Sequence, residues 1–249
     1  MKISVITACH NSAATLERAL VSVAEQDYAS IEHIVIDGGS NDGTAEILSR
    51  HRSGLSQVVS EPDRGIYDAM NKGLDRASGD IICFLNADDY YAARNVLSEV
   101  AQIMKARGLD ALMGDVEFFA EINPHRVVRR YRSDRFSPAK LAWGWMPAHP
   151  ALFFHRAVID RVGYFKINYK IAGDYEYVVR AFHGHHLRYH HVAKSLVRMQ
   201  TGGASTRGWR STILLNQEVL RACRENGIRT NVLKILTKYP AKVFDLLQR

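Results

Sequence analysis

No stretch of the 249-residue chain approaches the roughly 18 consecutive apolar residues needed to cross a bilayer, so no helical membrane span is expected. Cysteine is scarce. Cys9, Cys83 and Cys223 lie far apart and form no CxxC pair, which argues against a disulfide framework or a zinc knuckle and for a reducing cytoplasm. Met1-Lys2-Ile3-Ser4-Val5 passes directly into a strand-like run, with no h-region and no small-residue cleavage site, so no signal peptide is expected. Repeats and low-complexity tracts are absent. The turn after the first apolar run, Ala8-Cys9-His10-Asn11-Ser12, has no glycine, which argues against a sugar-nucleotide pyrophosphorylase with its glycine-rich loop there.

Hydrophobic residues make up 47% and charged residues 24% of the chain, the balance of a globular protein. The charges are unevenly placed. Residues 1–122 hold 10 Lys and Arg against 19 Asp and Glu, residues 123–204 hold 14 against 4, and residues 205–249 hold 9 against 3. The acidic first half suits carboxylates that hold a cation, and the basic remainder suits an anionic partner. No recognition motif accompanies the positive charge, so nucleic acid is not the expected partner.

Through the first ninety residues strand and helix patterns alternate. Strands are expected at Lys2–Ala8, Ile31–Ile36, Gln57–Ser60 and Asp80–Leu85. Helices are expected at Ser12–Asp27, where Leu16, Ala19, Leu20 and Val23 recur at helical spacing, at Thr44–His51 and at Ile66–Ala77. This is the βαβ pattern of an α/β fold with a mostly parallel sheet flanked by helices. Ligands of such sheets sit at the carboxyl ends of strands, which directs attention to Ala8–Ser12, Asp37–Gly43 and Asn86–Tyr91. Further on, a helix is expected at Val96–Arg107, strands at Ala111–Phe119 and Val127–Arg132, a loop at Ser133–Pro150, a strand at Ala151–His155, a helix at Gly173–His183 and strand material at Leu187–Arg198. The glycine- and serine-bearing segment 201–208 reads as a linker. The expected organisation is one domain over 1–204, divided into a nucleotide half (1–91) and an acceptor half (92–204), followed by a basic amphipathic helical tail at 205–249; if that tail docks on lipid, the domain should fold without it.

Three strand-end segments, residues 3–11 (ISVITACHN), 34–44 (IVIDGGSNDGT) and 84–90 (FLNADDY), together with 60–73 (SEPDRGIYDAMNKG), carry a family signature. In this order and spacing the chain resembles the inverting family 2 glycosyltransferases of GT-A fold, in the branch that builds bacterial surface polysaccharides. The resemblance covers about residues 1–200. It implies a nucleotide-sugar donor, UDP-linked as the first expectation, and a saccharide acceptor that is lipid-linked or an oligosaccharide.

Residue by residue, the resemblance places Thr7, Ala8, Asn11, Asp37, Gly38, Asp63, Arg64, Asp68, Asn71, Asn86 and Ala87 around the donor nucleotide. Read by itself, Asp37 serves equally as a turn former or as an acceptor for a base N–H or ribose hydroxyl, and Asp42 as a helix cap. Gly38 stands where many members have a second Asp. Asp68 and Asn71 serve equally as capping residues. The cluster Asn86-Ala87-Asp88-Asp89 offers hard oxygens at a strand end, suited to Mn²⁺ or Mg²⁺ shared with a diphosphate. Its first position is Asn rather than Asp, so the metal would rest on Asp88.

The family's catalytic base lies in an acidic pair at the start of a helix. Asp174 matches it, Gly173 stands where many members have Glu, and Glu176 is the second candidate. His149 falls on the acceptor side by the same resemblance, and Trp143 and Trp145 offer rings to stack on sugar faces; a packed, Trp-rich loop is the plain alternative. The cluster His183, His185, His186, His190 and His191 reads as a surface feature. In the tail, Val232, Ile235, Leu236, Tyr239, Val243, Leu246 and Leu247 share one helical face, opposite Lys234, Lys238, Lys242, Asp245 and Arg249. Such a face either lies on an anionic membrane or packs on its own domain or on a second subunit in a homodimer. The departures at Gly38, Asn86 and Gly173 keep a non-catalytic sugar-nucleotide-binding protein as the rival reading.

Overall fold

The computed structural model describes residues 1–202 and 208–237. Nine strands form one sheet: β1 (Ile3–Cys9), β2 (Ile31–Asp37), β3 (Gln57–Ser60), β4 (Ile81–Phe84), β5 (Tyr90–Tyr91), β6 (Ala111–Ala120), β7 (Asn123–Tyr131), β8 (Leu152–His155) and β9 (Tyr189–Gln200). Their order is β3-β2-β1-β4-β8-β6-β9-β5, with β7 paired to the outer half of β6. The ladders among β3, β2, β1 and β4 are all parallel, as is β6 with β9; β8, β7 and β5 pair antiparallel. The helices are α1 (Leu16–Ala24), α2 (Thr44–Arg50), α3 (Ile66–Leu74), α4 (Val96–Arg107), α5 (Arg156–Val162), α6 (Gly173–His183), α7 (Gly208–Glu225) and α8 (Val232–Leu236). None is long and apolar enough to cross a membrane.

Alternation along β1 explains the layering. Ile6 and Ala8 face a core shared with Tyr67, Met70 and Leu74 of α3 and with Val178 and Phe182 of α6. Ile3 and Val5 face the other side, against Val96, Leu97, Val100 and Met104 of α4. A strand covered on both faces has no polar side to give, hence its continuous apolar run. At the β1 carboxyl end, Cys9 joins a third cluster with Leu16 and Leu20 of α1 and Ile47 and Leu48 of α2.

The helices that follow residue 204 pack on the same domain. Val219, Ala222 and Cys223 of α7 and Ile235 of α8 belong to the same core as α3 and α6. Glu218, 5% exposed, accepts from the backbone N–H groups of Lys170, Ile171 and Ala172 at 2.7, 2.9 and 2.8 Å. Residues 208–237 therefore complete the domain. Lys234 sits 5.4 Å over the Trp143 ring, so α8 covers part of the Trp-rich loop. Lys238, Tyr239, Lys242, Val243, Asp245, Leu246, Leu247 and Arg249 lie outside the described residues.

Candidate active site

Because β2, β1 and β4 are adjacent and parallel, the segments that follow them meet at one edge of the sheet. Hydrogen bonds lock the first two together. Asn11, in the left-handed region at φ 49°, accepts from the Asn41 N–H at 3.0 Å, and its own N–H donates to Ser40 Oγ at 2.8 Å. Asn tolerates that conformation better than most residues. Asp42 accepts from the N–H groups of Ala13 and Thr44 at 3.0 and 3.1 Å, which ties the start of α2 to the β1 turn.

Two of the expected donor residues are buried and bonded within the protein. Asp37 is fully buried, and its carboxylate is taken up by the Ser40 hydroxyl, the Ser60 hydroxyl at 2.6 Å and the Cys9 thiol at 3.9 Å. It holds the floor of the edge. Thr7 is also fully buried, with its hydroxyl 3.0 Å from His33 Nε2; burial pushes that histidine down to about 3, so the pair is neutral. Ala8 and Ala87 are packed in the core at 8% and 6% exposure.

The half-buried carboxylate on this wall is Asp63, after β3. Its Oδ1 accepts from the Gly65 N–H at 2.8 Å, and no donor among the described residues reaches Oδ2. A Cβ built on Gly38 would lie 2.4 Å from that Oδ2, so only glycine fits at 38 while Asp63 holds this position. The Asp63 carboxylate thus occupies space that a side chain at 38 would enter. Arg64 is exposed and pairs at 2.7 Å with Asp68, which also accepts from the Arg64 N–H at 3.1 Å. This pairing lowers the Asp68 carboxyl below its ordinary range, with the Arg64 side-chain hydrogen bond the main cause. Asn71, placed on the donor by resemblance, is instead consumed at both ends: its amide donates to Phe165 O at 2.9 Å and accepts from the Phe165 N–H at 2.8 Å.

At the end of β4, Asn86 donates to Asp89 Oδ2 at 3.1 Å, while Asn86 Oδ1 and Asp89 Oδ1 are buried without a hydrogen-bond partner among the described residues. Asp89 is 1% exposed, and burial, then the neighbouring Asp88, raises its carboxyl well above the usual range. Asp88 is half-buried; its backbone carbonyl accepts from Arg18 at 3.4 Å. Among the described residues no three His, Cys, Asp or Glu side chains converge on one point. A Mg²⁺-like ion that draws most of its shell from a diphosphate and water needs only one or two protein carboxylates. The orphaned oxygens at Asn86 and Asp89 fit an incoming cation at this corner.

Asp174 stands in the first turn of α6. Its Oδ1 accepts from the Tyr175 N–H at 2.7 Å, and no donor among the described residues reaches Oδ2. Burial above all pushes its carboxyl up to about 6. Tyr67 joins it to the donor wall: the α3 phenol donates to Ile171 O at 2.7 Å and accepts from the Gly173 N–H at 2.8 Å. A Cβ on Gly173 would lie 2.6 Å from the Tyr67 ring, so the space for a side chain at 173 is filled from α3.

Of the expected acceptor-side residues, Glu176 and His149 are packed inside the protein. Glu176 is fully buried and ion-paired with Lys166 at 3.0 Å and Arg180 at 2.9 Å. His149 is stacked on Phe84 at 5.5 Å and set edge-on to Phe165; burial lowers it to about 4, so it is an uncharged member of the aromatic core. Trp145 is half-buried in the loop. His191 pairs with Asp115 at 2.7 Å and His190 with Arg107 at 3.1 Å, which spreads the histidine cluster over separate partners. Tyr67, Ser40, Ser60, Arg18 and Glu218 were not singled out from sequence. Tyr67, Ser40 and Ser60 at least lie inside the quoted motifs, whereas nothing around Arg18 or Glu218 marks them.

A profile of the family described as Glycosyl transferase family 2 matches residues 4–163. An uncharacterized glycosyltransferase of Mycobacterium tuberculosis is 34% identical over 182 residues, 72% of this chain and 68% of its own. A PGL/p-HBAD biosynthesis glycosyltransferase of the same species is 30% identical over 199 residues, 76% of this chain and 73% of its own. Among solved structures, TarS 1–349 of S. aureus in complex with UDP-GlcNAc superposes with TM-score 0.68 at 21% identity, over 88% of this chain and 67% of that one. The mannosyltransferase PcManGT of Pyrobaculum calidifontis, in complex with GDP-Man and Mn²⁺, gives 0.65 at 22%, over 90% and 63%. The chain spans 40% of the longer TarS chain. At these identities the solved structures establish a shared GT-A-type fold.

Proposed function

The chain belongs to glycosyl transferase family 2, and from that premise we propose an inverting, metal-dependent glycosyltransferase. It moves a sugar from a UDP-linked donor to a hydroxyl of a lipid-linked saccharide, at the cytoplasmic face of the membrane, in the synthesis of surface polysaccharide. The observation that carries this reading is the placement of Asp174 at the head of α6: one carboxylate oxygen accepts from the Tyr175 N–H, no donor among the described residues reaches the other, and burial pushes the carboxyl up to about 6. A general base works best with its pKa near the operating pH. In the proposed step Asp174 Oδ2 takes the proton of the acceptor hydroxyl as that oxygen attacks C1 of the donor sugar. The C1–O bond breaks on the opposite face, and its electron pair leaves with the nucleoside diphosphate.

The relatives give chemical support for the donor: one structural neighbour holds UDP-GlcNAc and another GDP-Man with Mn²⁺. Asp88, with Asn86 and Asp89 beside it, would hold Mn²⁺ or Mg²⁺. Bound there, the ion would neutralise charge on the leaving diphosphate. The rival, a non-catalytic binding protein, rested on Gly38, Gly173 and Asn86. Two of these departures have a spatial explanation, since Asp63 and Tyr67 fill the places that side chains at 38 and 173 would occupy.

The metal part is tested by donor binding. A nucleotide sugar at 100 times its Kd adds about 2.7 kcal/mol to the folded state. The wild type should show such a thermal shift with UDP-sugar and Mn²⁺, and Asp88→Ala should lose the Mn²⁺-dependent part. Equal donor affinity in EDTA and in Mn²⁺ refutes the metal assignment; no shift with any nucleotide sugar refutes the donor.

A further inference from the structure

The β6–β7 hairpin has no part in the chemistry above, yet it lies at the same edge of the sheet. Strand β8 runs antiparallel to β4, and β6 antiparallel to β8, so β6 points in the β4 direction. Its far end, Ala120, therefore lies on the side of Asn86–Asp89. Hydrogen bonds join the two places. Arg18 donates to the Asp88 carbonyl at 3.4 Å and to Gln200 Oε1 at 3.0 Å, and Gln200 donates to Glu121 at 3.4 Å, one residue from the tip.

That tip is built unlike a resting surface loop. Ile122 is 97% exposed, and Val127 and Val128 are 37% and 39% exposed. The register of β7 on β6 shifts at this point: Phe118 pairs with Arg129 and Phe119 with Val127, so Val128 is an extra residue in a bulge. A bulge re-aims neighbouring side chains, which leaves two consecutive valines in the open. Ala120, Ile122, Asn123, Arg126, Val127 and Val128 line one open depression. Between 117 and 132 the hairpin carries four arginines against two glutamates. Of these, Arg130 is paired with Asp115, Arg132 with Asp134, Arg129 lies over Phe118, Glu117 is held by Arg198, and Glu121 accepts from Gln200. Arg126 is exposed and makes no ion pair among the described residues.

We infer that the tip of the β6–β7 hairpin docks on an anionic lipid bilayer, with Ile122 and the valine pair in the headgroup–acyl boundary and Arg126 among the lipid phosphates. An exposed apolar ledge flanked by arginine is complementary to such a surface. Docked this way, the sheet edge that carries Asp88 faces the bilayer, where a lipid-linked acceptor would arrive. The inference rests on the lipid-linked reading of the acceptor.

Sedimentation with vesicles tests it, using phosphatidylcholine alone or with one-third phosphatidylglycerol. The wild type should bind the anionic vesicles and lose them as salt rises, because the attraction is screened within a Debye length. Ile122→Asp with Arg126→Glu should weaken binding by ~10-fold or more, since each basic residue near the surface counts for ~5-fold. Both side chains are exposed, so Tm and UDP-sugar affinity should stay at wild-type values. Lys238→Gln, Lys242→Gln and Arg249→Gln together should weaken vesicle binding less than the hairpin pair. Transfer to a bilayer-embedded acceptor should fall in the hairpin variant while transfer to a water-soluble analogue does not. Wild-type vesicle binding by the hairpin variant, equal binding to neutral vesicles, or loss confined to the tail variant overturns the inference. A wild type that binds vesicles through the hairpin but transfers only to soluble acceptors refutes the lipid-linked reading and leaves the docking surface standing.

Discussion

Asp174→Asn is expected to lower sugar transfer by ~10²–10⁴-fold, the usual cost of losing a positioned proton acceptor, while donor and metal affinity barely change. The amide keeps the size of the side chain and can still accept from the Tyr175 N–H. What it loses is basicity at the free oxygen. The pH profile separates this from loss of a helix cap. With the Asp174 carboxyl pushed up to about 6, wild-type transfer should climb as pH rises through that value, and the climb should be missing from the residual rate of the variant. Stability should move the other way. A carboxyl whose folded pKa is raised from 3.8 binds more protons in the native state, so its ionisation costs stability above pH 6 and costs nothing below pH 3.8. Asp174→Asn should therefore melt later than wild type at pH 7.5, by on the order of 1–2 kcal/mol for a half-buried group, and lose that advantage by pH 4. Glu176→Gln provides the contrast. It strips Lys166 and Arg180 of their buried carboxylate and should melt early. An active Asp174→Asn beside an inactive, normally melting Glu176→Gln would reverse the two roles.

The strand–helix frame was legible because it depends on local pattern. Gln57–Ser60, Val96–Arg107 and Gly173–His183 fall where periodicity puts them. What escaped depends on distant partners. The two-residue strand β5 exists only through its pairing with β9. Helix α5 is seven residues long with Val158 and Ile159 buried, too short for a clear period. Strand β7 starts at Asn123, through a proline that an edge strand can accept at its beginning. The same limit governs the site. Which turns carry it follows from βαβ topology, but side-chain direction does not: Thr7 is claimed by His33, Asn71 by Phe165 and Glu176 by Lys166, each from another segment. The glycines at 38 and 173 look like lost function in one dimension. In three dimensions each makes room for a residue from another segment, Asp63 or Tyr67.

Ending the chain before Gly208 is expected to leave an unfolded or aggregating protein, in contrast to the free-standing 1–204 domain expected if the tail docks on lipid. Helix α7 supplies Val219, Ala222 and Cys223 to the core, each 2% exposed or less. Its loss would bare the α6 surface beneath, at roughly 1.5–3 kcal/mol for a large apolar side chain such as Val219. The polar cost is larger. Glu218 receives the N–H groups of Lys170, Ile171 and Ala172, and orphaning a buried donor costs about 1–3 kcal/mol each. Lys166 and Tyr169 also lose Glu225, to which both are bonded at 3.0 Å. These losses together rival the about 5–15 kcal/mol that keeps an ordinary domain folded. Glu218→Gln gives the graded version. It retains one acceptor oxygen but turns an amide N–H toward the backbone donors, so Tm should fall. Because residues 170–172 lead directly into Gly173-Asp174, transfer should fall more than donor affinity does. Circular dichroism and sedimentation of the 1–207 fragment decide the larger point. A monomeric, cooperatively melting fragment that binds UDP-sugar like the full chain would return α7 to the status of an appendage and remove Glu218 from the support of the proposed base.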